Sequence, residues 1–263
     1  MGRNLLLTVD AGNTNVVFAV FDGERLTNRW RISTEVKRTA DEYAVWLTQL
    51  MALDHIGPDD IGDAVIATVV PQALHAIAGL CRSYFDCDPL VIDNGGAVGI
   101  AINIAHPREV GADRLVNAVA AHRRFPGWLI VIDFGTATTL DVISAEGSYE
   151  GGIIAPGVNL SLDALDRAAA KLPRIAVERP ERVIGTGTVS AMQSGVYWGY
   201  VGLIEGLVAR IKHEIGQPMT TVATGGLAAL FKDAIDSIDA VAADLTLHGL
   251  RHVHDHNRGP TGP

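Results

Sequence analysis

The sequence predicts an α/β protein whose two halves share one structural plan. The first observation is a repeat: LLLTVDAGNTNVVFAVF (5–21) and LIVIDFGTATTLDVIS (129–144) both run from an apolar strand through aspartate and glycine into a second apolar strand. The copies lie nearly half a chain apart, well beyond the ~20–50-residue period of a solenoid, which indicates duplicated domains that face each other. The second observation is size, because 263 residues with 48% hydrophobic content can build two compact cores.

The first half alternates strands and helices. Gly12, in the turn between the first two strands, permits the positive φ that such a turn often needs. Thr39 and Glu42 have the spacing of a capping box, followed by apolar residues at helical intervals. Pro71 ends an apolar run typical of a buried strand. The predicted elements are strands at 4–10, 15–21, 64–70 and 89–93, and helices at 39–51 and 113–124.

The second half repeats the pair of strands and then becomes more helical. The predicted elements are two strands within 129–144, helices near 160–171 and 189–214, a strand at 221–226 and a helix after it. We expect domains at 1–124 and 125–252, followed by a frayed polar tail at 253–263. His248, His252, His254 and His256 could bind a metal, but a solvated tail explains them better.

Composition argues against several classes of function. The net charge is −9 and the pI is about 5.4, so nucleic acid and anionic membranes would repel the chain unless a local basic patch intervened, and we identify none. Cys81 and Cys87 have neither metal-site nor CxxC spacing, which favours a reduced, cytoplasmic protein. No apolar run reaches the ~18–20 residues of a membrane helix, and the N-terminal run stops at Asp10.

The repeated turns are candidate phosphate sites. A tight turn rich in Gly, Thr and Asn exposes backbone N–H groups in one concavity, and such a nest binds anions. Asp10 and Asp133 precede the two turns, where a carboxylate can hold a cation or a water beside a phosphate group. An ordinary hairpin explains one such turn equally well, but two near-copies favour loops that grip a polyphosphate. Neither a Walker GxxxxGK[ST] sequence nor a complete GxGxxG is present.

The segment GADRL at 111–115 has two interpretations. Asp113 stands where a helix is predicted to start, and aspartate is a favoured N-cap. Arg114 follows it, although an arginine at a helix start gains nothing from the helix dipole. In a cleft, the same pair would supply a base for a hydroxyl group and a fork of donors for a carboxylate. An acidic chain that handles an anionic substrate needs such an arginine.

Two further stretches are compatible with ligand binding. GTGT at 185–188 opens the long predicted helix, and helix N-termini favour anions, although a capped loop explains these residues equally well. TGG at 224–226 follows a short strand, where paired glycines either let a backbone approach a flat ligand or form an ordinary turn.

Seven motifs, taken in order, resemble those of type III pantothenate kinase. They are DAGNTN (10–15), GADR (111–114), DFGTATT (133–139), GGIIAPG (151–157), AKLP (170–173), GTGTVSAMQSG (185–195) and ATGGLA (223–228). Together they cover nearly the whole chain. The resemblance implies a member of the acetate and sugar kinase/Hsp70/actin superfamily, with two duplicated ribonuclease-H-like domains and a cleft between them.

The resemblance also implies a reaction and its residues. ATP and pantothenate would give ADP and 4′-phosphopantothenate, the first step of coenzyme A synthesis, with Mg²⁺ near Asp10 and K⁺ or ammonium at Asp133. Asp113 would be the general base, and Arg114 would bind pantothenate. The other implied contacts are Asp10, Ala11, Gly12, Asn13, Thr14, Asn15, Thr136, Gly225 and Gly226 for ATP, and Gly111, Ala112, Asp113 and Thr188 for pantothenate. Family members are homodimers that share the pantothenate site across the interface.

The chain departs from the family pattern at two positions. Many members have a tyrosine seven residues before the GADR glycine, where this chain has Ile104, so the contact there would be apolar. Gly187 replaces an asparagine found beside Thr188 in many members, which removes one side-chain amide. Both changes concern affinity for pantothenate rather than phosphoryl transfer.

Two other functions share parts of the pattern. A nucleotide-binding regulatory module of the same superfamily would keep both phosphate loops but would not need GADR. Another sugar or acid kinase would keep the loops but lack the combination of GADR and GTGT. The presence of both segments favours pantothenate kinase.

Overall fold

The computed structural model describes residues 4–92, 98–168, 173 and 175–258. The chain forms two compact units, the first from Met1–Ala120 with Leu245–Pro263 and the second from Ala121–Asp244. Each unit contains one five-stranded sheet. Within the described ranges, no helix has the length and hydropathy that a membrane crossing requires.

The first unit has a mixed sheet with helices packed on it. Its elements up to the second unit are β1 (Leu5–Ala11), β2 (Asn15–Asp22), β3 (Arg25–Ser33), α1 (Ala40–Leu53), β4 (Ile61–Thr68), α2 (Pro71–Tyr84), β5 (Leu90–Ile92) and α3 (Ala112–Arg124), whose last residues belong to the second unit. The sheet order is β3-β2-β1-β4-β5. The predicted strand 89–93 corresponds to β5, and residue 93 lies outside the described residues.

The second unit has a sheet of the same size. Its elements are β6 (Trp128–Phe134), β7 (Ala137–Ile143), β8 (Tyr149–Pro156), α4 (Val158–Ala168), α5 (Thr188–Ile215), β9 (Met219–Gly225), α6 (Ala228–Lys232) and β10 (Ala240–Val241). The sheet order is β10-β9-β6-β7-β8. The helix predicted near 160–171 corresponds to α4, and residues 169–171 lie outside the described residues.

The two sheets have the same topology, which confirms the predicted duplication. Each central strand, β1 or β6, is antiparallel to the next strand in sequence and parallel to the fourth strand of its unit. Asp10 and Asp133 each occupy the last position but one of a central strand. The two copies of the sequence repeat therefore occupy equivalent positions in the two sheets.

The central strands are apolar because their sheets are covered by helices. Leu7 of β1 packs in one cluster with Leu47 of α1 and Ile77 of α2, and all three side chains are fully buried. Ile130 of β6 packs in a second cluster with Ile204 of α5. Strands covered in this way have continuous apolar runs, which is why both could be recognised from the sequence.

The first predicted helix begins as its capping residues require. The Thr39 hydroxyl accepts the Glu42 N–H at 3.3 Å, and the Glu42 carboxylate accepts the Thr39 N–H at 2.7 Å. Together they form the predicted capping box. Tyr43 and Leu47 are fully buried on the inward face of α1, as their helical spacing indicates.

Two elements of the first unit are missing from the sequence prediction. β3 is an edge strand with alternating burial, and Arg25, Arg29 and Arg31 lie at its exposed positions. They form a local row of positive charge that the composition does not reveal, and charged side chains protect an exposed sheet edge. Pro71 begins helix α2 instead of only ending a strand, because the first helical position needs no N–H donor.

The C-terminal residues are a packed helix, so the expected tail at 253–263 is wrong for residues 253–258. Helix α7 (Leu245–Arg258) belongs to the first unit, and the second unit ends before it. His254 is buried, and its Nε2 lies 2.6 Å from Oδ2 of Asp63 on β4. Arg258 pairs with the same carboxylate. Two residues that look solvated in the sequence, the buried His254 and the exposed Arg258, thus contact a buried carboxylate, while residues 259–263 lie outside the described part.

Candidate functional site

The first hairpin tip lies directly after Asp10, between β1 and β2. The Gly12 N–H donates to the Asn15 carbonyl at 3.0 Å and closes the turn. Thr34, just after β3, braces the tip from outside: its hydroxyl donates to the Gly12 carbonyl at 2.6 Å, and its N–H donates to the Thr14 carbonyl at 2.9 Å. Asn13 and Thr14 are exposed at the tip. Thr34 was not among the predicted site residues, since its role depends on the unpredicted strand β3.

Gly12 serves the turn differently from the prediction. Its φ is outside the left-handed region, so the turn does not need glycine for a positive φ. A Cβ at this position would instead lie 3.4 Å from the Asn15 carbonyl oxygen. A small side chain would therefore fit against this oxygen, and neither φ nor packing requires glycine at position 12.

The structure brings the GADR segment to the same edge of the first sheet as this tip. Because β1 and β4 are parallel, their carboxyl ends meet at one edge, and the Val69 N–H donates to the Ala11 carbonyl at 3.2 Å. A Cβ at Gly111 would lie 3.6 Å from Cγ1 of Val69. Two segments that are far apart in sequence, 10–15 and 111–114, thus lie beside the same carboxyl ends of β1 and β4.

Asp113 lies inside the first turn of α3 and is not its N-cap. The helix begins at Ala112, and the Gly111 carbonyl accepts the N–H groups of Arg114 and Leu115 at 3.1 and 3.3 Å. The Asp113 carboxylate accepts the Arg114 N–H at 2.8 Å. Burial raises the pKa of Asp113 above its ordinary value, and the hydrogen bond and charge of Arg114 offset only part of that effect.

Because Gly111 has no side chain, the Asp113 carboxylate can occupy the space beside it. A Cβ at position 111 would lie 2.5 Å from Oδ1 of Asp113, so a larger residue would displace the carboxylate. Ala112 is buried beside it, whereas Asp113 and Arg114 are half-buried. The segment therefore presents a poorly hydrated carboxylate and an adjacent guanidinium at the strand edge.

The second hairpin tip, between β6 and β7, is shorter by one residue than the first. The Gly135 N–H donates to the Ala137 carbonyl at 3.1 Å, and Thr136 is exposed. Gly157, at the start of α4, backs this tip so closely that a Cβ would lie 2.6 Å from the Gly135 carbonyl oxygen. Gly157 belongs to one of the family motifs, but its role in packing could not be inferred from the residues alone.

Glycines flank the Asp133 carboxylate. A Cβ at Gly225 would lie 2.5 Å from Oδ1 of Asp133, and one at Gly135 would lie 3.5 Å away. Gly225 also has a φ of 89°, which favours glycine independently of any ligand. Gly226 differs, because its φ is outside that region and a Cβ there meets no described atom within 4 Å. Packing among the described atoms therefore does not require glycine at position 226.

A buried carboxylate supports Asp133 from the same face of the second sheet. Asp141 has no solvent exposure, and it accepts hydrogen bonds from the Tyr149 hydroxyl at 2.7 Å and the Thr139 hydroxyl at 3.3 Å. Thr139 is the cross-strand partner of Asp133. The polarity of residues 131–143 thus extends from the hairpin tip into the sheet.

The GTGT segment forms the start of α5. The helix begins at Thr188, which is exposed, and the Gly187 N–H donates to the Ser190 hydroxyl at 3.1 Å. A Cβ at Gly185 would lie 2.5 Å from Cα of Ala191, so the loop lies tightly on the first turn. The Ser194 hydroxyl also donates to the Val183 carbonyl in this loop.

The oxygen atoms at both hairpin tips are suitable ligands for hard cations. Carboxylate, hydroxyl and carbonyl oxygens suit Mg²⁺ and larger monovalent ions, and the glycines beside Asp133 leave room around its carboxylate. No group of three or more His, Cys, Asp or Glu side chains suited to a metal occurs within the described ranges. A magnesium ion here would therefore share its coordination with phosphate oxygens and water, as is usual for nucleotide-bound Mg²⁺.

The fold and the two aspartate-bearing hairpins define a class: this is the duplicated α/β fold found among sugar kinases. A Sinorhizobium meliloti structure, described as a proposed 2-dehydro-3-deoxygalactonokinase, aligns with a TM-score of 0.61 at 16% identity over 98% of each chain. The Acidaminococcus fermentans (R)-2-hydroxyglutaryl-CoA dehydratase component A aligns with a TM-score of 0.55 at 14% identity, over 97% of this chain and 98% of that chain. At these identities the likeness shows the fold alone.

Sequence comparison narrows the class to one family. The profile described as type III pantothenate kinase matches residues 6–210. A type III pantothenate kinase of Paramagnetospirillum magneticum is 59% identical over 257 residues, covering 97% of this chain and 99% of the relative. One from Caulobacter vibrioides is 55% identical over 255 residues, covering 96% and 98%. The chain belongs to the type III pantothenate kinase family, which confirms the motif resemblance; of AKLP, only Pro173 lies within the described residues.

Proposed function

We propose that this chain transfers the γ-phosphoryl group of ATP to the primary hydroxyl of pantothenate, giving 4′-phosphopantothenate for coenzyme A synthesis. The proposal rests on the environment of the Asp113 carboxylate, together with the membership of this chain in the family. Its pKa is raised by burial, and it lies at the strand edge that also carries the first hairpin tip. A base and a phosphate-binding turn in one unit are what a phosphoryl transfer to an alcohol requires.

The proposed ATP ligands occur in both units. In the first unit they are residues 10–15, whose braced tip offers backbone N–H groups and the Asn13 and Thr14 side chains. In the second unit they are Thr136 at the exposed tip and the glycines at 225 and 226. When bound, Mg²⁺ and a monovalent cation would neutralise charge on the nucleotide; Asp133 would ligate the monovalent cation, and Asp10 would act on Mg²⁺ through a phosphate group or a water.

Asp113 is the proposed general base. In a loose transition state the attacking hydroxyl loses its proton late, so even a moderately basic carboxylate suffices. The raised pKa of Asp113 makes it a better proton acceptor than an ordinary aspartate, whose pKa is about 3.9. Gly111 keeps the carboxylate in place by leaving its volume free.

Pantothenate is the proposed ligand of Arg114, with Gly111, Ala112 and Thr188 as further contacts. The guanidinium offers paired N–H donors that match a carboxylate. Ile104 is half-buried and can offer only an apolar contact, and Gly187 offers no side-chain amide. These two residues would lower the affinity for pantothenate without affecting the phosphate groups.

A cytoplasmic homodimer is the proposed form of the enzyme. Val183, Ile184 and Val189 are exposed by 64%, 76% and 46%, and they flank the segment that contains Thr188. Neighbouring apolar side chains with this exposure are typical of an interaction surface. A partner there would cover them beside a residue proposed to bind pantothenate.

An ADP-release assay tests the function. We expect ADP to form only when both ATP and pantothenate are present, faster with K⁺ or ammonium than with Na⁺. Asp113→Asn should lower kcat by about 10²–10⁴ and leave ATP binding intact, because only the proton acceptor is lost. Release of ADP without pantothenate would favour a nucleotide switch, and wild-type turnover by Asp113→Asn would remove Asp113 from its role.

A further inference from the structure

The two cysteines of the chain meet at the C-terminus of α2. The Phe85 N–H donates to the Cys81 carbonyl at 3.1 Å and ends the helix, and Asp86 then adopts a left-handed φ of 51°. The chain folds back, so that the Cys87 N–H donates to the same Cys81 carbonyl at 3.2 Å. Such a left-handed cap brings the residue after the turn onto the last turn of the helix.

The Cys87 thiol lies beside the last turn of α2, where it donates to the Cys81 carbonyl oxygen at 3.9 Å. A hydrogen bond between the two thiols is the largest cause of the lowered pKa of Cys87 and of the raised pKa of Cys81. Cys81 is fully buried and Cys87 half-buried, so solvent reaches the more acidic thiol first.

Packing alone does not account for the pair. Left-handed caps often include an apolar contact at these two positions, and a free cysteine can serve as a small apolar residue. Any pair of small aliphatic side chains would satisfy that need. The Cys81 carbonyl accepts both the N–H and the thiol of Cys87, and Arg82 Nε is bonded to Asp88 Oδ1 at 2.6 Å across the same turn, so two thiols are placed side by side where aliphatic residues would have no reactivity.

We propose that Cys81 and Cys87 are a thiol–disulfide exchange site, in which an internal disulfide forms across the α2 cap on reaction with a small-molecule disulfide such as oxidised glutathione. Cys87 is the attacking thiol and Cys81 the resolving thiol. The assignment is independent of the kinase reaction, because it uses no residue proposed to bind ATP or pantothenate.

The exchange consists of two balanced displacements. The Cys87 thiolate attacks one sulfur of oxidised glutathione, the glutathione S–S bond breaks, and one glutathione thiolate leaves. Cys81 then loses its proton to solvent and attacks the Cys87 sulfur, releasing the second glutathione thiolate. The protein is oxidised by two electrons and the oxidant is reduced to two thiols. The hydrogen bond that raises the pKa of Cys81 no longer holds its proton once Cys87 is derivatised.

The test is oxidation of the folded, full-length protein by oxidised glutathione, followed by alkylation and intact-mass measurement. We expect the wild type to lose two hydrogens and both alkylation sites without keeping glutathione. Cys81→Ala should instead keep one glutathione on Cys87, and Cys87→Ala should stay reduced, because Cys81 is buried. Cys81→Ser is a second variant should the alanine protein fail to fold.

Three outcomes of this oxidation would overturn the proposal. The wild type could stay reduced, it could accumulate the same mixed disulfide as Cys81→Ala, or Cys87→Ala could react as fast as the wild type.

A comparison with urea-denatured wild type tests the role of the cap. The ratio of internal to mixed disulfide should be higher in the folded protein, because the fold raises the effective concentration of Cys81. An equal ratio in both states would contradict the assignment.

Discussion

Asp113 combines two properties that are seldom found in one carboxylate. It is accessible enough to meet a substrate, yet its surroundings hydrate it poorly, so its pKa is raised. The cause lies in its neighbours: Gly111 lets the side chain fold back over the first helical turn, and Ala112 beside it is buried. Gly111 and Ala112 are therefore explained by the environment that they create for the carboxylate.

The raised pKa of Asp113 predicts a pH-dependent cost in stability. The folded protein binds this proton more tightly than the unfolded chain, so the stability contributed by Asp113 falls as pH rises from about 3.9 through the raised folded value. Asp113→Asn cannot titrate. Relative to the wild type, we expect the free energy of unfolding of this variant to increase across this pH window, and we expect the increase to persist at neutral pH. Urea titrations over a pH series measure the difference, and a difference independent of pH would contradict the prediction.

Asp141 is expected to act on the cation proposed at Asp133. The two residues lie diagonally on one sheet face, roughly 7–8 Å apart by strand geometry. At an effective dielectric of about 20, a charge at about that distance attracts a monovalent ion by roughly 2 kcal/mol. We therefore expect Asp141→Asn to raise the half-saturating K⁺ concentration by about 30-fold, measured by K⁺-dependent shifts in Tm and by activity.

Tyr149→Phe is the matched control for Asp141. It removes the 2.7 Å hydrogen bond but keeps the charge, so it should destabilise the second unit while changing K⁺ affinity much less. If both variants lose stability equally and neither changes the K⁺ response, Asp141 is structural only. If the wild type shows no K⁺ response, the proposed cation site at Asp133 is wrong instead.

At the scale of elements, both hairpin tips are braced from behind, but by different means. Thr34 holds the first tip with two hydrogen bonds to its carbonyls, and Gly157 supports the second through close backbone packing. In each unit the brace comes from outside the hairpin. A tip held in this way keeps its N–H groups oriented before a ligand arrives, which lowers the entropic cost of binding.

Substitutions of two glycines in the second unit test whether each glycine is needed for packing or for the approach of a ligand. Gly157→Ala places a Cβ against the carbonyls of Gly135 and Thr136, so we expect a loss of about 1–3 kcal/mol in unfolding free energy together with a higher KM for ATP. Gly226→Ala meets open space and should keep its stability while raising the KM for ATP. A stability loss in Gly226→Ala, or none in Gly157→Ala, would contradict these assignments.

The sequence predicts the central elements far better than the braces around them. β1 and β6 were recognisable because buried strands have continuous apolar runs and because their aspartates recur, and α1 was recognisable from its capping box. Thr34 could not be predicted, since it meets the Gly12 carbonyl only through the pairing of an edge strand. Asp141 and Tyr149 likewise form a pair only across the register of β7 and β8. Such contacts depend on the tertiary fold and leave no periodic pattern.

At the scale of the whole molecule, the first unit is assembled from both ends of the chain. Helix α7 packs on the first sheet, where Asp63 of β4 contacts His254 and Arg258. The polar residues of α7 looked like a solvated tail in the sequence because their partners lie some two hundred residues earlier. A buried carboxylate that contacts two basic side chains is costly to disrupt from one side.

The contact between Asp63 and α7 predicts a measurable loss of stability. Asp63→Asn removes the charge that faces His254 and Arg258, and we expect a loss of about 1–3 kcal/mol by chemical denaturation. Asp88→Asn is the matched control, because its pair with Arg82 has side chains exposed by 78% and 58% and should contribute little. Equal effects of the two substitutions would show that α7 is not anchored by Asp63.

The return of α7 to the first sheet has a consequence for synthesis on the ribosome. The second unit is one continuous stretch, Ala121–Asp244, and all of it emerges before the last helix does. The first unit starts to emerge earlier but cannot be completed until α7 has emerged. We therefore expect the segment made later to acquire its native structure first, and nascent chains stalled before Leu245 to expose the surface of β1 and β4 that α7 covers.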